Sequence, residues 1–251
     1  MITLDAPVWQ TLSSAGNDAD KWLRCLLAGE GDLHENIQIL AEDISHQLSY
    51  YSATAYVLPH LAAFCHGLSP KDKVFLIAQM GAAIAAEADC PLSPGTEPFR
   101  EFEEGLAGLC RETQHLLTDP ALPRLLGNDP DLGQQFALAA LAILGNRKHA
   151  LAMNFMSGSC WEEVAIACSC GWNDETYCFS DEPTHLKPAE IDTWDGNSLT
   201  DEAVWFHGLL ALAEEEDISP ILPYVYGDCV CPACGRQEPF WNFFDRFYEE
   251  Y

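Results

Sequence analysis

The chain has 251 residues, 48% of them hydrophobic, enough for one large domain or a domain with an insert around a real core. Twelve Lys and Arg against 39 Asp and Glu give a formal charge of −27. That balance excludes nucleic acid and anionic membrane as natural partners, since neutralising phosphates drives such binding, and it favours a basic protein partner.

Met1-Ile2-Thr3-Leu4-Asp5 has neither a basic start nor a following apolar run, so no signal peptide is expected. No window reaches eighteen uninterrupted apolar residues, and no membrane span is expected either. Eleven cysteines, an odd number, then fit reduced thiols and a metal in a cytoplasmic protein better than a disulfide framework. Cys25, Cys65, Cys90 and Cys110 fall within helical apolar patterns and read as small buried hydrophobes.

Residues 1–16 read as an irregular lead-in. Asp18 or Asp20 then caps a helix carrying Trp22, Leu23, Leu26 and Leu27, which stops at Gly29 and Gly31. Leu33, Ile37, Leu40, Ile44 and Leu48 recur in steps of three and four, one helical stripe. His34-Glu35 opens it, but Gln38 stands where a zinc-protease helix needs its second histidine. The stretch Ser49–Leu61 holds small residues for close helix packing, and Pro59 is expected to kink or restart the helix. Ser69-Pro70 is an N-cap with a first-turn proline, launching a helix to about Ala88. After a proline-rich loop, Phe99, Phe102, Leu106, Leu109 and Leu116 mark another helix, and Pro123, Gly127 and Pro130 a further loop. An alanine-rich helix over Phe136–Leu144 closes at Gly145-Asn146, and a last one runs from about Arg147 to Met156. Antiparallel helix pairs joined by short turns predict a mainly α fold of stacked helical hairpins, an α-solenoid, over residues 1–157.

From residue 158 the texture changes. Trp161 to Cys170 is strand-like, Asn173-Asp174 reads as a hairpin turn, and Thr176–Phe179 as the returning strand. Residues 181–200 read as a loop. Thr200 or Asp201 caps a helix with Val204, Trp205, Leu209, Leu210 and Leu212, which runs into Glu214, Glu215, Glu216 and Asp217. Tyr224-Val225-Tyr226 reads as a strand, and Phe240 to Tyr248 as an aromatic tail. From residue 188 onward there are fourteen acidic residues and two basic ones, Arg236 and Arg246.

Two cysteine pairs organise this part. Cys168-Ser169-Cys170-Gly171 is answered by Cys231-Pro232-Ala233-Cys234-Gly235, each pair followed by a glycine that lets amides turn toward thiolate sulfur. Together they predict a small β zinc-ribbon element over residues 158–251, split by an inserted helix, with Cys168, Cys170, Cys231 and Cys234 on one structural Zn²⁺. The CxC spacing of the first pair leaves Cys178 and Cys229 open as replacements for Cys168. Four thiolates leave no open coordination position, so the metal is expected to be structural and the chain not to be an enzyme. A zinc-assisted hydrolase using His34, His60 or His66 is the weaker alternative, without a phosphate loop, a nucleophile elbow or a zinc-protease helix to support it.

Tyr51-Ser52-Ala53-Thr54-Ala55-Tyr56-Val57-Leu58-Pro59-His60-Leu61, preceded by Ser45-His46-Gln47, resembles a stretch shared by bacterial HEAT-like helical-repeat proteins, which also carry a later CPxCG pair. Leu48 stands where that family tends to have glycine. Many such small acidic proteins are thought to be immunity proteins to polymorphic toxins. The resemblance implies an immunity protein that neutralises a cognate basic toxin, nuclease-type, by occluding its active site. The acidic cluster Glu214, Glu215, Glu216 and Asp217 is the candidate contact, and the chain is expected to be a monomer or weak oligomer. The other reading is a zinc-stabilised adaptor for an endogenous protein complex.

Overall fold

A computed structural model describes residues 1–46, 51–86, 92–127, 129–158, 163–179, 185–191, 201–213 and 220–249. They are mainly helical, with small antiparallel sheets towards the C-terminus. The chain divides into two compact units, Met1–Leu151 and Ala152–Tyr251.

The first unit holds α1 (Ala19–Ala28), α2 (Leu33–Ile44), α3 (Thr54–His66), α4 (Pro70–Ala85), α5 (Glu97–Leu117), α6 (Leu122–Leu126) and α7 (Pro130–Leu144); α8 (Arg147–Gly158) begins here and crosses the division. Caps fix most of the starts. Asp32, Ser69, Thr96 and Asp129 each accept a hydrogen bond from the backbone N–H three residues on, which satisfies an orphan donor of the first turn. Gly29 ends α1 in the left-handed region at φ 69°, as expected from its sequence position. Two expectations are corrected. Of the kink or restart expected at Pro59, the restart is excluded, because α3 runs through that residue as one element. Pro123 and Pro130 do not mark a plain loop, because each sits in the first turn of a helix, where its missing N–H costs nothing.

α1 packs on α2, α3 on α5, and α2 and α7 on α4. The closest approaches use residues without bulk. A Cβ added at Gly81 would lie 2.8 Å from Cα of Ala139, and one at Gly105 would lie 2.9 Å from Cα of Pro59. The registers share a direction: Pro59 faces Gly105, Ala62 faces Gly108 and His66 faces Glu112, so α3 and α5 run parallel. Leu40, Leu58, Leu61, Ile77, Met80, Phe102, Leu109 and Phe136 fill the core between the helices.

The lead-in is not loose. Its short 3₁₀ turn, Pro7–Thr11, buries Trp9, whose indole N–H donates to the Thr3 carbonyl at 3.1 Å. Buried Asp43 on α2 accepts from the Ser14 hydroxyl at 2.7 Å and from the Gly16 amide, while its carbonyl accepts from Ala15 N–H at 2.8 Å.

The second unit contains β1 (Glu163–Ala167), β2 (Asn173–Cys178), β3 (Leu186–Lys187), α9 (Glu202–Leu212), α10 (Leu222–Val225), β4 (Asp228–Val230), β5 (Gln237–Pro239) and α11 (Phe240–Glu249). β1 and β2 form one antiparallel hairpin; β3, β4 and β5 form a second antiparallel sheet in that order. Asp201, one of the two proposed caps, accepts from Val204 N–H and opens α9. Four expectations change. Within residues 181–200, read as a loop, Leu186–Lys187 form the strand β3 and pair with β4. Asn173-Asp174 lies within β2, and the hairpin turn is the cysteine loop before it. Tyr224-Val225 belongs to the short helix α10, started by Pro223, and the strand before the second cysteine pair is β4. The aromatic tail is α11, whose Phe240, Phe243 and Phe244 repeat at helical spacing and are buried.

Gly81→Ala forces α4 and α7 apart and is expected to cost about 1–3 kcal/mol in thermal unfolding. Gly67→Ala is the control. There a Cβ meets only the Phe64 carbonyl at 3.7 Å, and stability is expected to stay level or rise by about 0.4–1 kcal/mol.

Candidate metal centre

Each cysteine pair occupies the turn of its own hairpin, the first between β1 and β2, the second between β4 and β5. The two turns are built alike. In the first, Gly171 N–H donates to the Cys168 carbonyl at 2.9 Å and Cys168 N–H to the Trp172 carbonyl at 2.7 Å. In the second, Gly235 N–H donates to the Cys231 carbonyl at 2.9 Å and Cys231 N–H to the Arg236 carbonyl at 2.8 Å. Gly171 and Gly235 both sit at positive φ, 89° and 73°, where a side chain would be strained. Counted back from that glycine, the CxC and CxxC turns differ by a single residue at the crown. The odd spacing of the first pair is therefore a shortened version of the same loop.

The four sulfurs converge across 61 to 66 residues of sequence. Cys168 Sγ lies 3.8 Å from Cys234 Sγ, Cys170 Sγ lies 3.7 Å from Cys231 Sγ, and all four atoms fall within 4.8 Å of one another. These separations are far beyond a disulfide bond of about 2.05 Å. Cys168, Cys170, Cys231 and Cys234 could together hold a metal ion, as expected from their spacing. Cys168 and Cys231 are buried, whereas Cys170 and Cys234 are exposed.

Local amides prepare the site for negative charge. Burial opposes ionisation of Cys231, but N–H groups of Cys234 and Ala233 and the neighbouring thiols outweigh it and bring its thiol down to about 7. Cys168 is pushed up to about 11 by burial, against which the Cys170 N–H acts only in part. Ionising the second sulfur beside the first is the harder step, and a cation between them removes that difficulty.

Neither replacement ligand joins the cluster. Cys178 pairs with Glu163 at the open end of the first hairpin, five residues and about 17 Å along the strand from the turn. Cys229 lies inside β4, and burial together with nearby Cys231 and Cys168 pushes its thiol up to about 12. The acidic residues Glu214, Glu215, Glu216 and Asp217 lie outside the described residues.

α11 is fixed beside the second turn by a brace that the sequence reading did not find. Glu238 on β5 accepts a two-pronged pair from Arg246, at 2.7 and 2.6 Å, and a third hydrogen bond from Asn242 at 3.2 Å. The i, i+4 and i, i+8 spacing of Glu238, Asn242 and Arg246 was the available signal. The Arg246 guanidinium, before any cost of burial, holds the Glu238 carboxyl below its usual range.

The three histidines weighed for catalysis each have a local partner. His60 is buried, and its Nε2 lies 3.0 Å from the Ile2 carbonyl, which can only accept, so that nitrogen carries the proton. Burial lowers the His60 pKa and keeps the ring neutral. His34 meets Asp72 at 3.0 Å and stacks on Phe75; His66 meets Glu112 at 2.8 Å.

No protein family, curated protein or solved structure matches the chain.

Cys231→Ser is expected to remove bound metal from the purified protein and to lower its melting temperature, whereas Cys178→Ser keeps the metal, both read by elemental analysis and calorimetry. Glu238→Gln is expected to cost about 1–3 kcal/mol at neutral pH. Because the folded carboxyl titrates below its ordinary value of 4.5, the pair contributes fully above that value. Its contribution is lost as pH falls through the lowered pKa. The variant should therefore converge on the parent stability in acid, as measured by urea unfolding across pH.

Proposed function

We propose that this chain is an acidic protein-binding scaffold, braced by a structural zinc ion, that acts as an immunity protein by covering the basic active-site cleft of a cognate bacterial toxin. The observation that carries this is the formal charge of −27. A nuclease must present cations to phosphates, and an acidic protein that meets those cations first is steered to them and blocks them. Such steering raises association rates roughly 10- to 1,000-fold at low salt.

Zinc is the metal that suits the four sulfurs. A tetrahedral S₄ set with Zn–S of about 2.3 Å puts sulfurs about 3.8 Å apart, which agrees with the 3.7 and 3.8 Å separations here. Four thiolates complete the coordination shell, so the ion braces the fold and supplies no open position for a substrate. The parallel run of α3 and α5 supports stacked helical hairpins. Equivalent helices of successive hairpins run parallel in such a stack, whereas neighbours in an up-and-down bundle alternate. Reduced thiols on zinc suit the cytoplasm, where an immunity protein guards its producer.

The test is capture of the partner from the native strain, followed by its expression with and without this chain. Growth arrest relieved by the chain, with an association rate that falls steeply as salt rises, is the expected result. A captured partner that is not toxic, or toxicity that the chain leaves unrelieved, replaces immunity with the adaptor reading.

A further inference from the structure

The first unit carries a second feature that the acidic surface does not account for. A cleft of about 740 Å³ opens between α3 and α5, within the size range of small-molecule sites. Its α3 wall is Pro59, Ala62, Ala63 and His66. On the α5 side, Gly105 and Gly108 line it at the seam where the two helices touch. A Cβ at Gly108 would touch Ala62 Cβ at 3.6 Å and the Arg111 guanidinium at 3.9 Å, so the two helices meet here in ordinary contact and Arg111 stands at the rim above the seam.

The charges on this wall are sorted. Glu101 and Glu104 stand at one end, Arg111 and His115 at the other, with the glycines between them. Lys73 joins the basic end, where it and His66 hold Glu112 at 2.6 and 2.8 Å. Burial opposes that carboxylate, yet the two partners keep its pKa below the usual value, so the end is a fixed network. Glu101 is taken up by the Met1 amino group at 2.6 Å and the Ile2 amide at 2.9 Å. Among the described residues, Arg111, His115 and Glu104 have no hydrogen-bond or ion-pair partner. An arginine left unpaired in a chain with 39 carboxylates, facing a cleft, has a charge to offer a ligand.

We propose that the α3–α5 cleft binds a short zwitterionic ligand of about tripeptide length, its carboxylate on Arg111 and its ammonium on Glu104. Length follows from the helix. Seven residues separate Glu104 from Arg111, about 10 Å at 1.5 Å per residue, and three extended residues span about 10 Å. Net charge follows from the field. A free anion approaching Arg111 works against the whole −27 surface, while a ligand that carries its own cation has no net charge to be repelled. The ligand lies along the groove above the α3–α5 seam, with Pro59, Ala62 and Ala63 on its apolar side.

The test is titration calorimetry of the full chain with trialanine, N-acetyl-trialanine amide and inorganic phosphate. Trialanine is expected to bind, and the blocked peptide and phosphate at least tenfold more weakly. Arg111→Gln and Glu104→Gln each remove an unpaired exposed side chain, so melting temperature is expected to hold while trialanine affinity falls at least tenfold. Equal binding of the blocked peptide, unchanged affinity in Arg111→Gln, or phosphate binding as tight as trialanine would each overturn the proposal. None of these outcomes bears on toxin neutralisation.

Discussion

Two glycines hold the C-terminal unit in its working shape. Gly171 and Gly235, each in the left-handed region just after a second cysteine, turn the chain so that its own amides face sulfur. Without that turn the buried thiols of Cys168 and Cys231 would lack hydrogen bonds, and burying them ionised would be prohibitive. With it, four sulfurs from two hairpins meet within bonding reach of one cation. Closing a loop of some sixty residues costs about 3.6 kcal/mol by the logarithmic length law. A structural zinc ion in a thiolate site contributes on the order of 10–16 kcal/mol, so a metal held by these sulfurs would outweigh the closure and leave a surplus for the short strands around it.

Such a surplus would matter in a chain of this charge. A net −27 opposes compaction through self-repulsion, and strands of two or three residues cannot resist it by hydrogen bonding alone. The Glu238–Arg246 pair and the buried aromatic face of α11 add local support next to the second turn. In the first unit the same need is met by a different means. Gly81 against Ala139 and Gly105 against Pro59 bring helix backbones close, so that many weak dispersion contacts form along each crossing.

Much of this was legible in the sequence, and the failures have physical causes. Ser69-Pro70, Gly29 and the CPACG turn state their geometry locally and were readable as such. The CxC pair was harder, because ligand spacing is conventionally measured between cysteines, whereas the folding constraint is anchored on the glycine after them. Asn173-Asp174 has the composition of a turn, but the chain had already reversed at the cysteines, so those residues continue a strand. Tyr224-Val225 has strand propensity, and Leu222-Pro223 just before it imposes a helical first turn instead. The α3–α5 cleft had no sequence signal at all. Its walls come from helices more than thirty residues apart, and only their parallel register brings Pro59, Ala62 and His66 over Gly105, Gly108 and Glu112.

Each cysteine turn shelters its first sulfur and leaves its second facing water. The tetrad therefore has a front and a back. Small chelators, oxidants and competing metals would meet a bound ion first from the side of Cys170 and Cys234, and ligand exchange would begin with those two sulfurs. Cys168 and Cys231, at 4% and 1% exposure, form the retained half. With a metal bound, a site divided in this way could give up two bonds and recover them while the buried pair held, which would make metal exchange a local event at the surface of the unit rather than an unfolding of it.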